Sequence, residues 1–174
     1  SYSGVWMFDE ILNLGGDRER QKLIEIDKKL EPDDAINIQF TSGTTGQPKG
    51  ATLSHYNIVN NGSFVTGRIK LTEKDRLALP VPLYHCFGMV MGVLGAVSKG
   101  AAMIFPGESF DAKETLDVLV REKCTALYGV PTMFVAILQE LSKSSSDLSE
   151  MRTGIMAGAP CPIEVMKKVN DLMN

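Results

Sequence analysis

No stretch of the chain approaches the ~20 consecutive apolar residues that a bilayer-crossing helix requires. The longest candidate, Phe87 to Val97, is interrupted by Gly88, Gly92 and Gly95 and reads as a buried helix. Positive charge is also short: 18 Lys and Arg stand against 21 Asp and Glu, a net charge of −3. A nucleic-acid partner, which calls for a basic face, is not expected. Cysteine is sparse. Cys86, Cys124 and Cys161 are odd in number, widely spaced and set in apolar surroundings, with no Cys-x-x-Cys or Cys/His cluster for a metal. They predict reduced core thiols of an intracellular protein, with cytoplasm, mitochondrion and peroxisome undistinguished. No signal peptide and no internal repeat are visible. The chain lacks an initiator Met and stops at Asn174 within a helical pattern. Both ends are therefore expected to be cut from something longer, with any transit peptide out of view.

What is present suits one compact domain or subdomain: 174 residues, 44% hydrophobic and 22% charged. The stretch Phe40 to Gly50 organises the rest. It holds Gly43, Gly46 and Gly50, the hydroxyls of Thr41, Ser42, Thr44 and Thr45, then Pro48 and Lys49. Glycine permits backbone angles that turn successive N–H groups inward as an anion nest; hydroxyls add donors and lysine adds a charge. Phosphate fits this set best. It is not a Walker A loop, because Gln47 and Pro48 separate Gly46 from Lys49 and no helix start follows. Ile36–Phe40 before it and Ala51–Leu53 after it read as short strands, so the loop is a hairpin-like excursion. The plain alternative is a Gly/Thr surface turn, against which stands the ordered run of hydroxyls ending in Lys-Gly.

Around it, Phe8, Ile11 and Leu12 recur at helical spacing until Gly15-Gly16. Asp17 to Asp34 is rich in both charges and reads as a solvated linker or surface strand. Ser54 is placed to cap a helix running to about Thr66. Leu77–Leu79, Ala101–Phe105, Thr125–Tyr128 and Thr153–Ala157 read as strands. Between them lie helices: the glycine-spaced one ending near Lys99, one capped by Asp111 and Glu114, and one opened by Pro131. A last helix, opened by Pro162, turns Met166, Val169 and Met173 inward. This alternation predicts an α/β fold with a mainly parallel sheet flanked by helices. Ligands of such sheets gather at the carboxyl ends of the strands. That rule brings the loops after Phe40, Leu79 and Ala157 to one site, with the loop after Tyr128 beside them. His85 stands in one of these loops; a lone histidine there is either a packed residue or a substrate contact. Ala157-Gly158-Ala159-Pro160 reads as backbone without bulk, or as an ordinary turn. Met89, Met91, Val93 and Leu94 at helical spacing read as core or as the lining of a tunnel.

The run Thr-Ser-Gly-Thr-Thr-Gly-Gln-Pro-Lys-Gly, Thr41 to Gly50, resembles the phosphate loop of the adenylate-forming (AMP-binding) enzymes at all ten positions. From Ile36 onward the chain resembles the medium-chain branch of the fatty acyl-CoA synthetases. The finer match lies in Asn37–Phe40, Leu53–Asn61 and Pro131–Phe134. Residues 1–34 read as an N-terminal helix and charged linker, and the resemblance implies 35–174 as a partial AMP-binding α/β subdomain. It implies that Thr41, Ser42, Gly43, Thr44, Thr45, Gly46 and Lys49 bind the ATP phosphates. It implies that His85, Phe87, Tyr128 and Gly129 line the carboxylate and acyl pocket, and that Gly158, Ala159 and Pro160 wall the adenylate.

The implied reaction joins a fatty carboxylate to ATP as an acyl-adenylate, then transfers the acyl group to coenzyme A. The family's Mg²⁺-binding glutamate, ribose-binding aspartate and catalytic lysine have no counterpart in this sequence and are expected in the remainder of the polypeptide. The chain alone is therefore expected to be inactive. Alternatives are a non-catalytic nucleotide-binding or scaffold module, or an acid-activating enzyme serving a carrier protein.

Overall fold

A computed structural model of the chain describes residues 4–41 and 46–173. Two compact units are present, residues 1–56 and 57–174. In the first, α1 (Phe8–Ile11) and α2 (Asp17–Asp27) precede an antiparallel pair, β1 (Ala35–Phe40) and β2 (Gly50–Ser54). The expected linker at 17–27 is a helix instead. Its residues are mostly strong helix formers, and the Gly16 amide is met by the Glu19 carboxylate at 2.9 Å. The helix buries none of its residues, so no apolar stripe announced it.

The second unit begins within α3 (His55–Arg68) and holds β3 (Arg76–Ala78), β4 (Ala102–Ile104), β5 (Ala126–Gly129) and β6 (Thr153–Met156). These pair in parallel in the order β4-β3-β5-β6. Between β3 and β4 runs a π-helix, Phe87–Leu94, continued by α4 (Gly95–Lys99). The crossovers that follow are α5 (Ala112–Arg121), α6 (Pro131–Leu141) and α7 (Ile163–Met173). The α/β class with a parallel sheet and flanking helices is thus as expected, but β1 lies outside that sheet. The rule about carboxyl ends therefore reaches the loops after β3, β5 and β6, and does not place the loop after Phe40.

Strand periodicity sorts the core into two layers. Ala78 and Leu127 face Leu116, Leu119, Phe134, Ile137 and Met173 from α5, α6 and α7. Leu77, Leu79, Ala126 and Tyr128 face the other way, into a cluster with Phe87 and Ala96 of the π-helix and α4. Buried on both faces, β5 and the stretch from Leu77 to Leu79 read as unbroken apolar runs, as central parallel strands do. On α7 only Met173 is buried, with Val165 and Val169 half-buried. Met166 is exposed, on the rim of a cavity of about 250 Å³ between α7 and β6. Of the cysteines, only Cys124 is in the core, where burial pushes its thiol up to about 11. Cys86, at the start of the π-helix, and Cys161, in the loop after β6, are exposed, which corrects the expectation of three core thiols.

The amino-terminal edge of the sheet is closed by a polar clamp. Asp75, directly before β3 and 3% exposed, accepts hydrogen bonds from Thr125 Oγ1 at 2.6 Å and Arg152 Nε at 2.9 Å. Its second oxygen takes the Thr72 amide at 2.7 Å, the Thr72 hydroxyl at 3.0 Å, and Arg152 Nη2. One carboxylate thereby ties the starts of β3, β5 and β6. Burial alone would raise the Asp75 pKa, but Arg152, Thr125 and Thr72 together hold it down at about 2. A folded pKa below the unfolded one gives stability that is present above about pH 4 and lost as pH falls toward about 2, worth roughly 2 kcal/mol. Chemical denaturation at pH 7 and pH 2.5 should show this loss, and Asp75→Asn should remove that part of the pH dependence. Asp75→Ala, which strands Arg152, should cost about 3–5 kcal/mol at pH 7.

Candidate functional site

The loop between β1 and β2 is drawn shut at its neck. Phe40 pairs with Gly50, and the Thr41 N–H donates to the Lys49 carbonyl at 2.9 Å. The Thr41 amide is therefore spent on the neck, and only its hydroxyl remains to offer a ligand. Gly46 has φ +140°, in the region that disfavours side chains. A Cβ on Gly50 would lie 3.0 Å from Ile38 Cγ2, so glycine also fits the exit of the loop. Lys49 is exposed at the neck. Of the predicted phosphate-binding residues, Thr41, Gly46 and Lys49 have this geometry; Ser42, Gly43, Thr44 and Thr45 lie outside the described residues.

In the second unit the chain leaves β3 toward β4 on one side, while β5 leads to β6 on the other. The switch point, where ligands of open parallel sheets bind, falls between the carboxyl ends of β3 and β5. A cavity of about 540 Å³ opens beside it, lined by Leu79, Val81, Tyr84, Phe105, Phe110 and Met133 among others. His85 is exposed at the end of the loop after β3. Its amide donates to the Pro82 carbonyl at 3.3 Å, its carbonyl accepts from Met89 N–H at 3.0 Å, and its Nδ1 accepts from Phe87 N–H at 3.0 Å. With Nδ1 so engaged, the neutral ring carries its proton on Nε2, ready to donate outward.

The π-helix holds this loop by contact. A Cβ on Gly88 would stand 2.3 Å from the Pro82 carbonyl oxygen, and one on Gly92 would stand 2.7 Å from Leu79 Cδ2. Met91 and Val93 pack against the core, which favours the core reading of the methionine stripe over a tunnel.

Phe87 and Tyr128 stack with ring centroids 5.6 Å apart and planes 17° from parallel. Both are buried, Tyr128 completely. Among the described residues the Tyr128 hydroxyl has no hydrogen-bond partner, and burial raises its pKa above the ordinary phenol value. A buried hydroxyl left unpaired costs about 1–3 kcal/mol. Beyond β5 and β6 the chains stay close: Ala157 N–H reaches the Gly129 carbonyl at 3.2 Å. Gly158 has φ +86°, and a Cβ there would lie 3.2 Å from Val130 Cγ1. Ala159 and Pro160 follow it on the surface. The predicted residues His85, Phe87, Tyr128, Gly129 and Gly158–Pro160 thus gather at one edge of one sheet. His85 and Phe87 are not among the walls of the 540 Å³ cavity.

Sequence reasoning missed the Asp75 clamp at the opposite edge. Its one local signal was Thr72 three residues before Asp75, a hydroxyl–carboxylate spacing that closes a turn.

The fit at Gly88 is testable. Gly88→Ala should destabilise the chain by about 1–3 kcal/mol, because the clash is with backbone rather than with a flexible side-chain end. Urea unfolding measures this, and a loss below about 0.5 kcal/mol would contradict the packing described.

Residues 5–174 match the family of AMP-binding enzymes. Over 172 residues the chain is 47% identical to the mitochondrial medium-chain acyl-CoA ligase ACSF2 of Danio rerio, covering 98% of this chain and 28% of that protein. It is 45% identical to the acyl-CoA ligase sidI of Aspergillus fumigatus over 173 residues, which is 99% of this chain and 29% of that one. Among solved structures, ATP-bound MatB from Rhodopseudomonas palustris superposes with a TM-score of 0.73 at 30% identity, over 82% of this chain and 28% of MatB. The chain spans less than a third of the length of the curated relatives it matches. With nearly its whole length matched, it belongs to the AMP-binding enzyme family.

Proposed function

We propose that this chain is part of an ATP-dependent acid–thiol ligase that activates a fatty carboxylate as its acyl-adenylate and passes the acyl group to coenzyme A. The observation that carries the reading is the hairpin neck, where Thr41 and Lys49 close a glycine-and-hydroxyl loop at 2.9 Å. In this reading Thr41, Ser42, Gly43, Thr44, Thr45, Gly46 and Lys49 hold the β- and γ-phosphates and then the departing pyrophosphate. Hydrogen bonds to such charged oxygens are each worth about 1.5–3 kcal/mol. His85 donates from Nε2 to the carboxylate, while Phe87, Tyr128 and Gly129 shape the acyl side. Gly158, Ala159 and Pro160 offer bare backbone against which a base lies flat. The assignment of 1–34 as a leading helix and linker and 35–174 as the nucleotide subdomain belongs to the same proposal, as does an intracellular site of action, where ATP and coenzyme A are found.

Among the described residues no group of three or more His, Cys, Asp or Glu side chains could hold a metal ion. In this reading the family's Mg²⁺-binding glutamate belongs to the rest of the polypeptide. The catalytic lysine is likewise assigned to the rest of the polypeptide. Lys49, by its place at the neck, is a phosphate ligand.

In the longer protein carrying this chain, Lys49→Ala should slow adenylation about ten- to a hundredfold. Thioester formation from supplied acyl-adenylate should stay within about twofold, since that step no longer uses the phosphate tail. Pyrophosphate release and thioester assays separate the two, and equal losses would contradict the assignment. The 174-residue chain alone should bind ATP no better than about millimolar, equivalent to ~4 kcal/mol. A micromolar constant by calorimetry would contradict its dependence on the remaining polypeptide.

A further inference from the structure

The proposed reaction has three substrates, and the site residues named above account for two of them. Thr41–Lys49 and Gly158–Pro160 are assigned to the nucleotide, and His85, Phe87, Tyr128 and Gly129 to the acid. The cavity of about 540 Å³ at the carboxyl ends of β3 and β4 has no assigned occupant. It is open to solvent: Leu83, Tyr84 and Phe105 in its wall are 45%, 83% and 49% exposed. Large apolar side chains left bare around a concavity mark a surface that a ligand covers. The cavity also adjoins the loop assigned to the acid. Pro82, Leu83 and Tyr84 wall it, and His85 follows in the same turn, its amide bonded to the Pro82 carbonyl. The wall therefore ends one residue, about 3.8 Å of chain, from the group assigned to the carboxylate.

Charge narrows what fits. Among the described residues no Lys, Arg or His lines the cavity, whereas Glu108 brings a carboxylate to it and Ser109 a hydroxyl. The Glu114 carboxylate is close by, 3.0 Å from where a Cβ on Gly107 would stand. Phosphates and free carboxylates are disfavoured beside such a wall. A bare hydrocarbon tail, for its part, makes no use of Glu108 or Ser109. We propose that this cavity receives the uncharged arm of coenzyme A, the run of methyl, hydroxyl and amide groups that carries the thiol, and leaves its phosphates outside. This rests on the acid–thiol ligase reading above and gives that reading's third substrate a place. The apolar walls cover the methyl groups, and Glu108 and Ser109 accept from amide N–H groups. In the step so served, the thiol sulfur bonds to the acyl carbon as the acyl–oxygen bond to AMP breaks. AMP leaves with that electron pair, and the thiol proton passes to water.

The experiment uses the longer protein that carries this chain and separates its two half-reactions. Phe105→Ala removes part of the wall and Ser109→Trp fills the space beside it. Both positions are exposed, so the melting temperature should not fall with either change. Thioester formation from supplied acyl-adenylate is followed at varied coenzyme A, and again with pantetheine, which keeps the arm and lacks the phosphates. Each variant should raise KM for both thiols about five- to tenfold. Single-turnover pyrophosphate release without thiol should stay within about twofold. An unchanged KM for pantetheine in either variant would overturn the proposal and leave the activity reading standing. Pyrophosphate release slowed as much as thioester formation would give the cavity to the acid and overturn it too. A loss with coenzyme A that spares pantetheine would give it to the nucleotide end, again against the proposal. If the unaltered protein released no pyrophosphate with any acid, the activity reading would fail and the proposal with it.

Discussion

The second unit depends on one buried carboxylate. Asp75 sits directly before β3 and gathers Thr72, Thr125 and Arg152, so the residues leading into β3, β5 and β6 are tied at one edge. Parallel strands that start in register also end together, and the loops that leave them are delivered to a common rim. The cost of burying the charge is offset by the number and quality of its partners, which is why its pKa lies below rather than above the ordinary value. Polar order at the amino edge is what leaves the carboxyl edge available for loops of unusual backbone.

At that carboxyl edge the same economy of space recurs. Gly88 and Gly92 let the π-helix press directly on Pro82 and Leu79, and Gly158 takes a left-handed turn against Val130. Each replaces side-chain volume by backbone contact. The loops after β3, β5 and β6 are consequently held by packing, while His85 stands exposed. Tyr128 is the exception: a polar atom placed in the apolar layer behind them.

Much of this was legible beforehand for physical reasons. The strands of the parallel sheet announced themselves as short apolar runs, and Pro131 and Asp111 marked helix starts where α6 and α5 begin. The phosphate-loop sequence implied a hairpin, and β1 and β2 form one. What could not be read was set by distance in the chain. Asp75, Thr125 and Arg152 are 50 and 77 positions apart, and no local pattern joins them. The helix over Asp17–Asp27 has no buried face, so periodicity was silent and only propensity spoke. Cys86 and Cys161 looked like core thiols because their sequence neighbours are apolar, yet both are exposed at the surface. Exclusion of β1 from the parallel sheet was equally invisible, since strand composition does not name a strand's partner.

The central claim is that the Thr41–Gly50 hairpin receives the phosphate tail of a nucleotide. Titrating the isotopically labelled chain with ATP and Mg²⁺, and following its backbone amide signals, tests this most directly. The account predicts saturable shifts concentrated at residues 41–50. Signals there that stay unmoved while ATP binds elsewhere on the chain, or does not bind at all at several millimolar, would contradict it.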